Sequence, residues 1–269
     1  MAERRKECNT LNEWDSQYQL HAKPIGEVRL NPDYIKMYDC EPTIRRANGE
    51  LVMMLGDTQI ISGTARWDPS SGKKNSDVSS LSMLLQDGFG NQYWHRAKAL
   101  NGPVVETDES GRPNGGQVLE ICDLVEKYML SRVVIETNGV GAHNGTYLKA
   151  AFKARRIKCG VTEVHASVPK NRRILGAIEG PLTSGLLWAH KTVLEVQDEA
   201  GQIKDAPAVV QMRQFNPAVL EQPDDHLDSL AGAIADGPCR LGKNLKAVDG
   251  SRERWRADGG VHEAILDFN

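Results

Sequence analysis

Three strand patterns follow one another between residues 60 and 99. The alternation of hydrophobic and polar positions predicts strands over Ile60–Trp67, Val78–Gln86 and Gln92–Ala99. Asp87-Gly88, between the last two, favours a tight hairpin turn. The pattern therefore predicts three sequential antiparallel strands.

Helices and strands alternate in the rest of the chain. Apolar residues recur at spacings of three and four over Gln117–Tyr128, which predicts an amphipathic helix. The same reasoning predicts strands near residues 133–136 and 160–166, a short apolar element compatible with a strand at 186–189, an exposed hairpin or mobile loop at 193–206, and helices near 145–155, 170–184, 209–214 and 224–236. This order indicates an α/β fold with a mixed central sheet and helices on both faces.

The two ends of the chain differ from this central region. Residues 1–50 lack sustained periodicity and contain Lys23-Pro24, Asn31-Pro32 and Glu41-Pro42, so we expect a lead-in segment with short helical pieces. Residues 51–240 form the predicted domain, and residues 241–269 are a polar tail.

Composition narrows the class of protein. The chain has 269 residues, of which 40% are hydrophobic and 26% charged, as in ordinary soluble globular proteins. Five widely spaced cysteines without a C-x-x-C pair predict neither a disulfide framework nor a zinc site, and they fit a reducing compartment. The sequence shows no secretory signal and no apolar run near the ~20 residues of a membrane span, so we expect no membrane association. The net charge of −3 argues against a protein that coats nucleic acid through overall positive charge.

Four carboxylates carry the chemical signal. Asp68 follows the first central strand, Glu136 ends a later one, and Asp225 and Asp228 lie one turn apart on the last helix. Each has an ordinary explanation, as a turn initiator, a charged strand end or a complement to a helix dipole. Their joint order is typical of a site where two metal ions stabilise the attacking and leaving oxygens of a phosphodiester.

Five short motifs resemble one protein family. Trp67-Asp68-Pro69 with a later Asp77, the segment Ile135–Gly141, the segment Lys170–Ile174 and the segment Asp224–Ala231 are similar, in this order, to motifs of the nuclease domain of the large terminase subunit of tailed bacteriophages. The segment Trp14–Leu20 resembles the connection from the packaging ATPase to that nuclease. Ser229 stands where the family has alanine.

The resemblance covers most of residues 10–236 and implies an RNase H-like fold, which RuvC-type resolvases share. It implies a metal-dependent DNA endonuclease that cuts concatemeric viral DNA during packaging in the host cytoplasm. The implied partners are double-stranded DNA, the packaging ATPase domain, the small terminase subunit and the portal.

The resemblance also assigns roles to individual residues. It implies that Asp68, Glu136 and Asp228 hold two divalent cations, Mg²⁺ or Mn²⁺, with Asp225 as a further ligand or proton-handling group. Asp77 is a weaker candidate. We expect Asp224 to cap the helix and His226 to be a solvated surface histidine, with a role as a base as the alternative. The candidates for contacts to the DNA backbone are five basic residues, namely Lys73, Lys74, Lys170, Arg172 and Arg173.

Two other functions stay open from the sequence. One is a RuvC-like junction resolvase on the same fold, against which the Trp14–Leu20 segment argues. The other is a non-catalytic module that grips DNA or docks onto the packaging motor, and whose acids bind no metal.

Overall fold

A nine-stranded mixed sheet forms the centre of the computed structural model, which describes residues 29–47, 50–70, 79–137, 143–237 and 239–241. The strands of this sheet are β1 (Lys36–Tyr38), β2 (Thr43–Ala47), β3 (Glu50–Leu55), β4 (Thr58–Asp68), β5 (Ser79–Asp87), β6 (Gln92–Leu100), β9 (Arg132–Glu136), β10 (Gly160–Val164) and β11 (Leu187–His190). Two small hairpins lie outside it and consist of β7 (Glu106–Thr107) with β8 (Pro113–Gly115), and β12 (Glu195–Gln197) with β13 (Ile203–Asp205). The helices are α1 (Gln117–Lys127), α2 (Asn144–Arg155), α3 (Lys170–Thr183), α4 (Lys191–Leu194), α5 (Pro207–Gln214) and α6 (Asp225–Ala235).

The middle of the sheet has the expected topology. Strands β4, β5 and β6 are sequential and antiparallel, which confirms the three-strand prediction. Strand β9 then pairs parallel with β4, and β10 pairs parallel with β9. The result is the expected mixed sheet, with β4 at its centre.

The long central strand β4 serves two neighbours along one edge. Its other edge pairs with β5 over most of its length, so β3 and β9 share the remaining edge. Strand β3 pairs near Ile60, at the start of β4, and β9 pairs near Trp67, at its end. The last residues of β4 therefore lie beside the last residues of β9.

Two hydrophobic clusters cover the two faces of the sheet. On one face, Trp67, Leu81 and Met83 pack against α1 and α2. On the other, Leu84 and Trp94 pack against α3, α5 and α6. Because successive side chains of a strand point to opposite faces, this division fixes which residues of β4 and β5 face α6.

The lead-in interpretation is wrong for the described residues 29–47 in one respect. Pro32–Tyr34 is a short 3-10 helix, but β1 and β2 are strands of the central sheet. Strand β1 pairs parallel with β11, and β2 forms a hairpin with β3. The sheet thus extends across the expected boundary at residue 50, whereas the segment Trp14–Leu20 lies outside the described residues.

No helix of the described part of the chain is both long and apolar enough to cross a membrane.

Candidate active site

Strand register brings Asp68 and Glu136 side by side. Trp67 of β4 pairs with Ile135 of β9 in parallel register, so the next residue on each strand is an acid. Trp67 and Ile135 both belong to the cluster under α1 and α2. Asp68 and Glu136 therefore face the other side of the sheet, toward α3 and α6.

Helix α6 brings the second pair of acids to the same place. Asp225 and Asp228 lie in its first turn, and the helix packs across β4 and β5. Ser229, Ala231 and Gly232 are buried small residues that permit this close approach. Asp228 is almost fully buried, as is Glu136.

The electrostatics show that the four acids converge. Burial, together with the neighbouring carboxylates of Glu136, Asp228 and Asp225, raises the pKa of Asp68 to about 7 against the opposing effect of Lys170. Burial also raises the pKa of Asp228, against the opposing effect of Arg173. Like charges held this close in a poorly solvated site favour either a bound proton or a bound cation.

Two basic residues at the start of α3 bind the acids directly. Arg173 donates from Nε to Asp228 Oδ1 at 3.0 Å and from Nη2 to Asp228 Oδ2 at 2.7 Å. Its Nη2 also lies 3.3 Å from Glu136 Oε1. Lys170 Nζ lies 2.5 Å from Asp224 Oδ1 and 3.8 Å from Asp228 Oδ2. Helix α3 thus places two positively charged side chains against the acids.

Arg66 of β4 is a site residue that the sequence analysis missed. Its Nη2 donates to Glu136 Oε2 at 2.7 Å, and its Nη1 contacts both carboxylate oxygens of Asp236 at 3.0 and 3.2 Å. The sequence does carry a signal, because Arg66 is a charged residue two positions before Asp68, on the same face of an otherwise buried strand segment. The partner Asp236 follows the last residue of α6.

The expected DNA contacts divide into three groups. Lys170 and Arg173 contact carboxylates of the site in this structure, and Arg172 is exposed. Lys73 and Lys74 lie outside the described residues, as does the weaker acid candidate Asp77.

At the start of α6, the predicted cap position of Asp224 is confirmed but without a capping hydrogen bond, and the prediction for His226 is wrong. Asp224 occupies the N-cap position, but its side chain makes no capping hydrogen bond because it pairs with Lys170 instead. His226 is buried rather than solvated, its Nδ1 lies 3.3 Å from Ser80 Oγ, and burial lowers its pKa. Both residues face inward because α6 packs against the sheet from its first turn.

Ser229, where this sequence departs from the family pattern, joins a buried hydroxyl network. Its Oγ lies 2.9 Å from Ser80 Oγ and 2.8 Å from Ser82 Oγ, both on the face of β5 toward α6. The serines of β5 thus supply partners for the hydroxyl that replaces alanine.

The acids match a divalent cation in donor chemistry. Asp68, Glu136, Asp225 and Asp228 offer carboxylate oxygens, which Mg²⁺ and Mn²⁺ prefer. Burial and the neighbouring carboxylates both raise the pKa of Asp68, and a bound cation would oppose both effects. As the side chains now lie, no three His, Cys, Asp or Glu residues of the described ranges are grouped closely enough to hold an ion. Arg173 instead joins Glu136 to Asp228.

Comparisons with known proteins give structural likenesses alone. No protein-family model matches the chain, and no curated protein matches it. The nuclease domain of the large terminase subunit gp2 of bacterial virus Sf6 is similar at 13% identity and a TM-score of 0.39, over 64% of this chain and 87% of that one. A mutant of that domain with manganese gives 12% identity and a TM-score of 0.37, over 64% and 88%. The yeast mitochondrial Holliday junction resolvase gives 13% identity and a TM-score of 0.35, over 65% and 77%.

Proposed function

We propose that the chain is a metal-dependent DNA endonuclease domain of a viral genome-packaging terminase, and that it hydrolyses phosphodiester bonds with two Mg²⁺ or Mn²⁺ ions. The observation that carries the proposal is the convergence of Asp68, Glu136, Asp225 and Asp228 at the ends of β4 and β9 and the start of α6. The carboxyl ends of strands are where α/β sheets place ligands.

Asp68, Glu136 and Asp228 would hold the cations, with Asp225 as an additional ligand. When bound, such ions supply Lewis acidity for water activation and for the leaving oxygen. The chain itself contributes a rigid platform, because two of the acids stand on hydrogen-bonded strands and two on a packed helix. Near neutral pH, Asp68 lies close to its pKa of about 7, so its charge state responds to whatever binds beside it.

Arg173 has two roles in this proposal. In the absence of a bound cation it compensates the buried charges of Asp228 and Glu136. With a cation held by the acids, the guanidinium would be available to contact a DNA phosphate, together with Lys170 and the exposed Arg172. The same arginine would therefore neutralise the empty site and bind substrate in the filled one.

The packaging role rests on the motif resemblance. The five motifs, in order, support a terminase nuclease that works with an ATPase domain, a small terminase subunit and a portal, and that acts in the host cytoplasm. The proposed domain comprises residues 51–240, together with the strands β1 and β2 that complete its sheet.

Cleavage of supercoiled plasmid tests the proposal. The purified chain is incubated with plasmid and Mn²⁺, Mg²⁺ or EDTA, and a four-way junction is compared with linear duplex of the same sequence. The proposal predicts nicking and linearisation that require metal and show little sequence preference. Cleavage undiminished in EDTA would contradict it, strong preference for the junction would favour a resolvase, and no cleavage with no Mn²⁺ binding would favour a non-catalytic module.

A further inference from the structure

We propose that Arg66 is a positioning residue of the acidic site, which fixes the Glu136 carboxylate by tying it to Asp236. The inference rests on the proposed nuclease function and deepens it. It concerns a residue that lies behind the acids and that would not itself touch DNA.

The contacts of Arg66 join two carboxylates through one rigid group. The planar guanidinium binds Glu136 through Nη2 and both oxygens of Asp236 through Nη1. Its side chain is only 4% exposed, so water competes little for these hydrogen bonds. A buried guanidinium fork holds its partners at a fixed distance and angle, which a lysine at the same place would not do.

Helix α6 leaves room for this guanidinium at one position, Gly232. A Cβ atom there would lie 2.7 Å from Arg66 Nε and 3.0 Å from Arg66 Cζ, closer than van der Waals contact allows. Glycine is otherwise unfavourable inside a helix. The arginine and the glycine therefore form a matched pair, and any side chain at position 232 must displace Arg66.

The two arginines around Glu136 take different oxygens. Arg66 binds Oε2, whereas Arg173 contacts Oε1 and also binds Asp228. Arg66 is held on its far side by Asp236, whereas Arg173 is more exposed, at 15% of its side chain. Arg66 thus fixes the orientation of Glu136 so that Oε1 is the oxygen on the side of Asp228.

Gly232→Ala tests the positioning role of Arg66 without changing an acidic residue. The new methyl group displaces the guanidinium but leaves its charge in the chain. Gly176→Ala is the matched control, because Gly176 is an exposed glycine inside α3. Arg66→Lys is a third variant, which keeps the charge but loses the fork. All are made in the full chain.

Loss of such an outer contact typically lowers metal affinity or activity by about 10- to 100-fold. We expect this loss in kcat for plasmid cleavage and in Mn²⁺ affinity by calorimetry for both Gly232→Ala and Arg66→Lys, with KM for DNA changed by less than about twofold since Arg66 contacts no substrate. Gly176→Ala should behave as wild type.

The readouts separate the two proposals. Gly232→Ala and Gly176→Ala are assayed at a temperature well below their melting temperatures. If wild type cleaves DNA and Gly232→Ala has the same kcat and Mn²⁺ affinity as Gly176→Ala, Arg66 has only a structural role. That result would overturn the inference. If wild type neither cleaves DNA nor binds Mn²⁺, the proposed function fails, and the inference fails with it. In the metal-free protein, we expect the changes in melting temperature caused by Gly232→Ala and Glu136→Gln to be non-additive in the double variant. Strict additivity of the two changes would also overturn the inference.

Discussion

Asp68 and Glu136 are neighbours in the sheet but differ in how the chain compensates their charge. Glu136 contacts two arginines, Arg66 and Arg173. Burial and three neighbouring acids raise the pKa of Asp68 to about 7, and Lys170 alone opposes them among the named neighbours. The two acids should therefore respond differently to the loss of charge.

Asp68→Asn should stabilise the metal-free protein at neutral and alkaline pH. The folded pKa of about 7 exceeds the ordinary value of 3.8, so the folded state binds more protons in this window and loses stability as pH rises from about 4 to about 7. The amide removes this penalty, which is on the order of 2–4 kcal/mol at pH 8.

Thermal melting in EDTA at pH 4.5 and pH 8 measures this effect. The advantage of Asp68→Asn over wild type should grow between the two values. Asp39→Asn, a change at an exposed aspartate that pairs with Lys191 at 3.5 Å, serves as the control and should give no such trend. A constant or shrinking advantage for Asp68→Asn would contradict the prediction.

Arg173→Gln should weaken the metal-free fold yet tighten Mn²⁺ binding. Asp228 is buried, and the loss of its charged partner costs about 3 kcal/mol. The same change removes a cation that competes for the oxygens, so Mn²⁺ affinity should rise about tenfold or more.

Melting curves in EDTA measure the stability of the metal-free fold, and calorimetric titration measures the affinity for Mn²⁺. Arg172→Gln, one residue earlier on the same helix and exposed, is the control and should change neither. Mn²⁺ affinity for Arg173→Gln no higher than for Arg172→Gln would show that Arg173 does not compete with the metal.

The sequence located the acids because strand ends and a helical turn are local features. Asp68, Glu136, Asp225 and Asp228 could each be placed on an element from the surrounding pattern alone. The contacts of Arg66 and Arg173 could not, because they depend on the register of β4 against β9 and on how α3 and α6 cross. The arginine contacts of the site depend on tertiary structure, so local sequence patterns do not predict them.

At the scale of elements, α6 is the helix that joins the site to the core. Asp224 is its N-cap and its first turn carries Asp225 and Asp228, and the side chains of Asp224 and Asp228 are both almost fully buried. Asp224 pairs with Lys170 at 2.5 Å, whereas Asp225 contributes to the raised pKa of Asp68. Adjacent acids of one helix thus have different expected roles.

Asparagine substitutions separate these roles. Asp225→Asn should reduce cleavage without loss of stability, and added Mn²⁺ should restore part of the activity because one ligand oxygen has lost its charge. Asp224→Asn should instead lower the free energy of unfolding by about 1–3 kcal/mol, since Lys170 loses a charged, buried partner. Plasmid cleavage and urea unfolding measure both. Full activity of Asp225→Asn would remove this residue from the site.

The hydroxyl network between α6 and β5 gives a second test of helix packing. Ser229→Ala restores the residue type of the family but removes contacts to Ser80 and Ser82. We expect a loss of about 1 kcal/mol in unfolding free energy with cleavage unchanged. A double-mutant cycle with Ser82→Ala measures the coupling, and additive effects would show that the hydrogen bond contributes nothing.

Local patterns did not predict strand β1, whose pairing partner lies far away in the sequence. Strand β1 has three residues, and its partner β11 is about 150 residues away in the sequence, so nothing nearby indicates the pairing. Strands β4, β5 and β6 were predictable because a hairpin signal and alternation agree locally. Long-range parallel pairing has no comparable local signal.

At the scale of the whole molecule, the sheet and its two helical layers serve to hold the acids at one end of β4. Helices α3 and α6 cover the face that carries Asp68 and Glu136, and α1 and α2 cover the opposite face. Because each acid is anchored in hydrogen-bonded structure, a bound cation need only reposition side chains such as Arg173. We therefore expect metal binding to leave the fold unchanged.

Diffraction from crystals soaked in Mn²⁺ shows whether the acids at the end of β4 bind metal. Anomalous scattering identifies Mn²⁺ by element, and carboxylate ligands should lie about 2.0–2.3 Å from each ion. We expect anomalous peaks bound by Asp68, Glu136 and Asp228, with Arg173 moved away from the acids. Saturating Mn²⁺ with no peak at these residues, and with Arg173 still paired to Asp228, would contradict it.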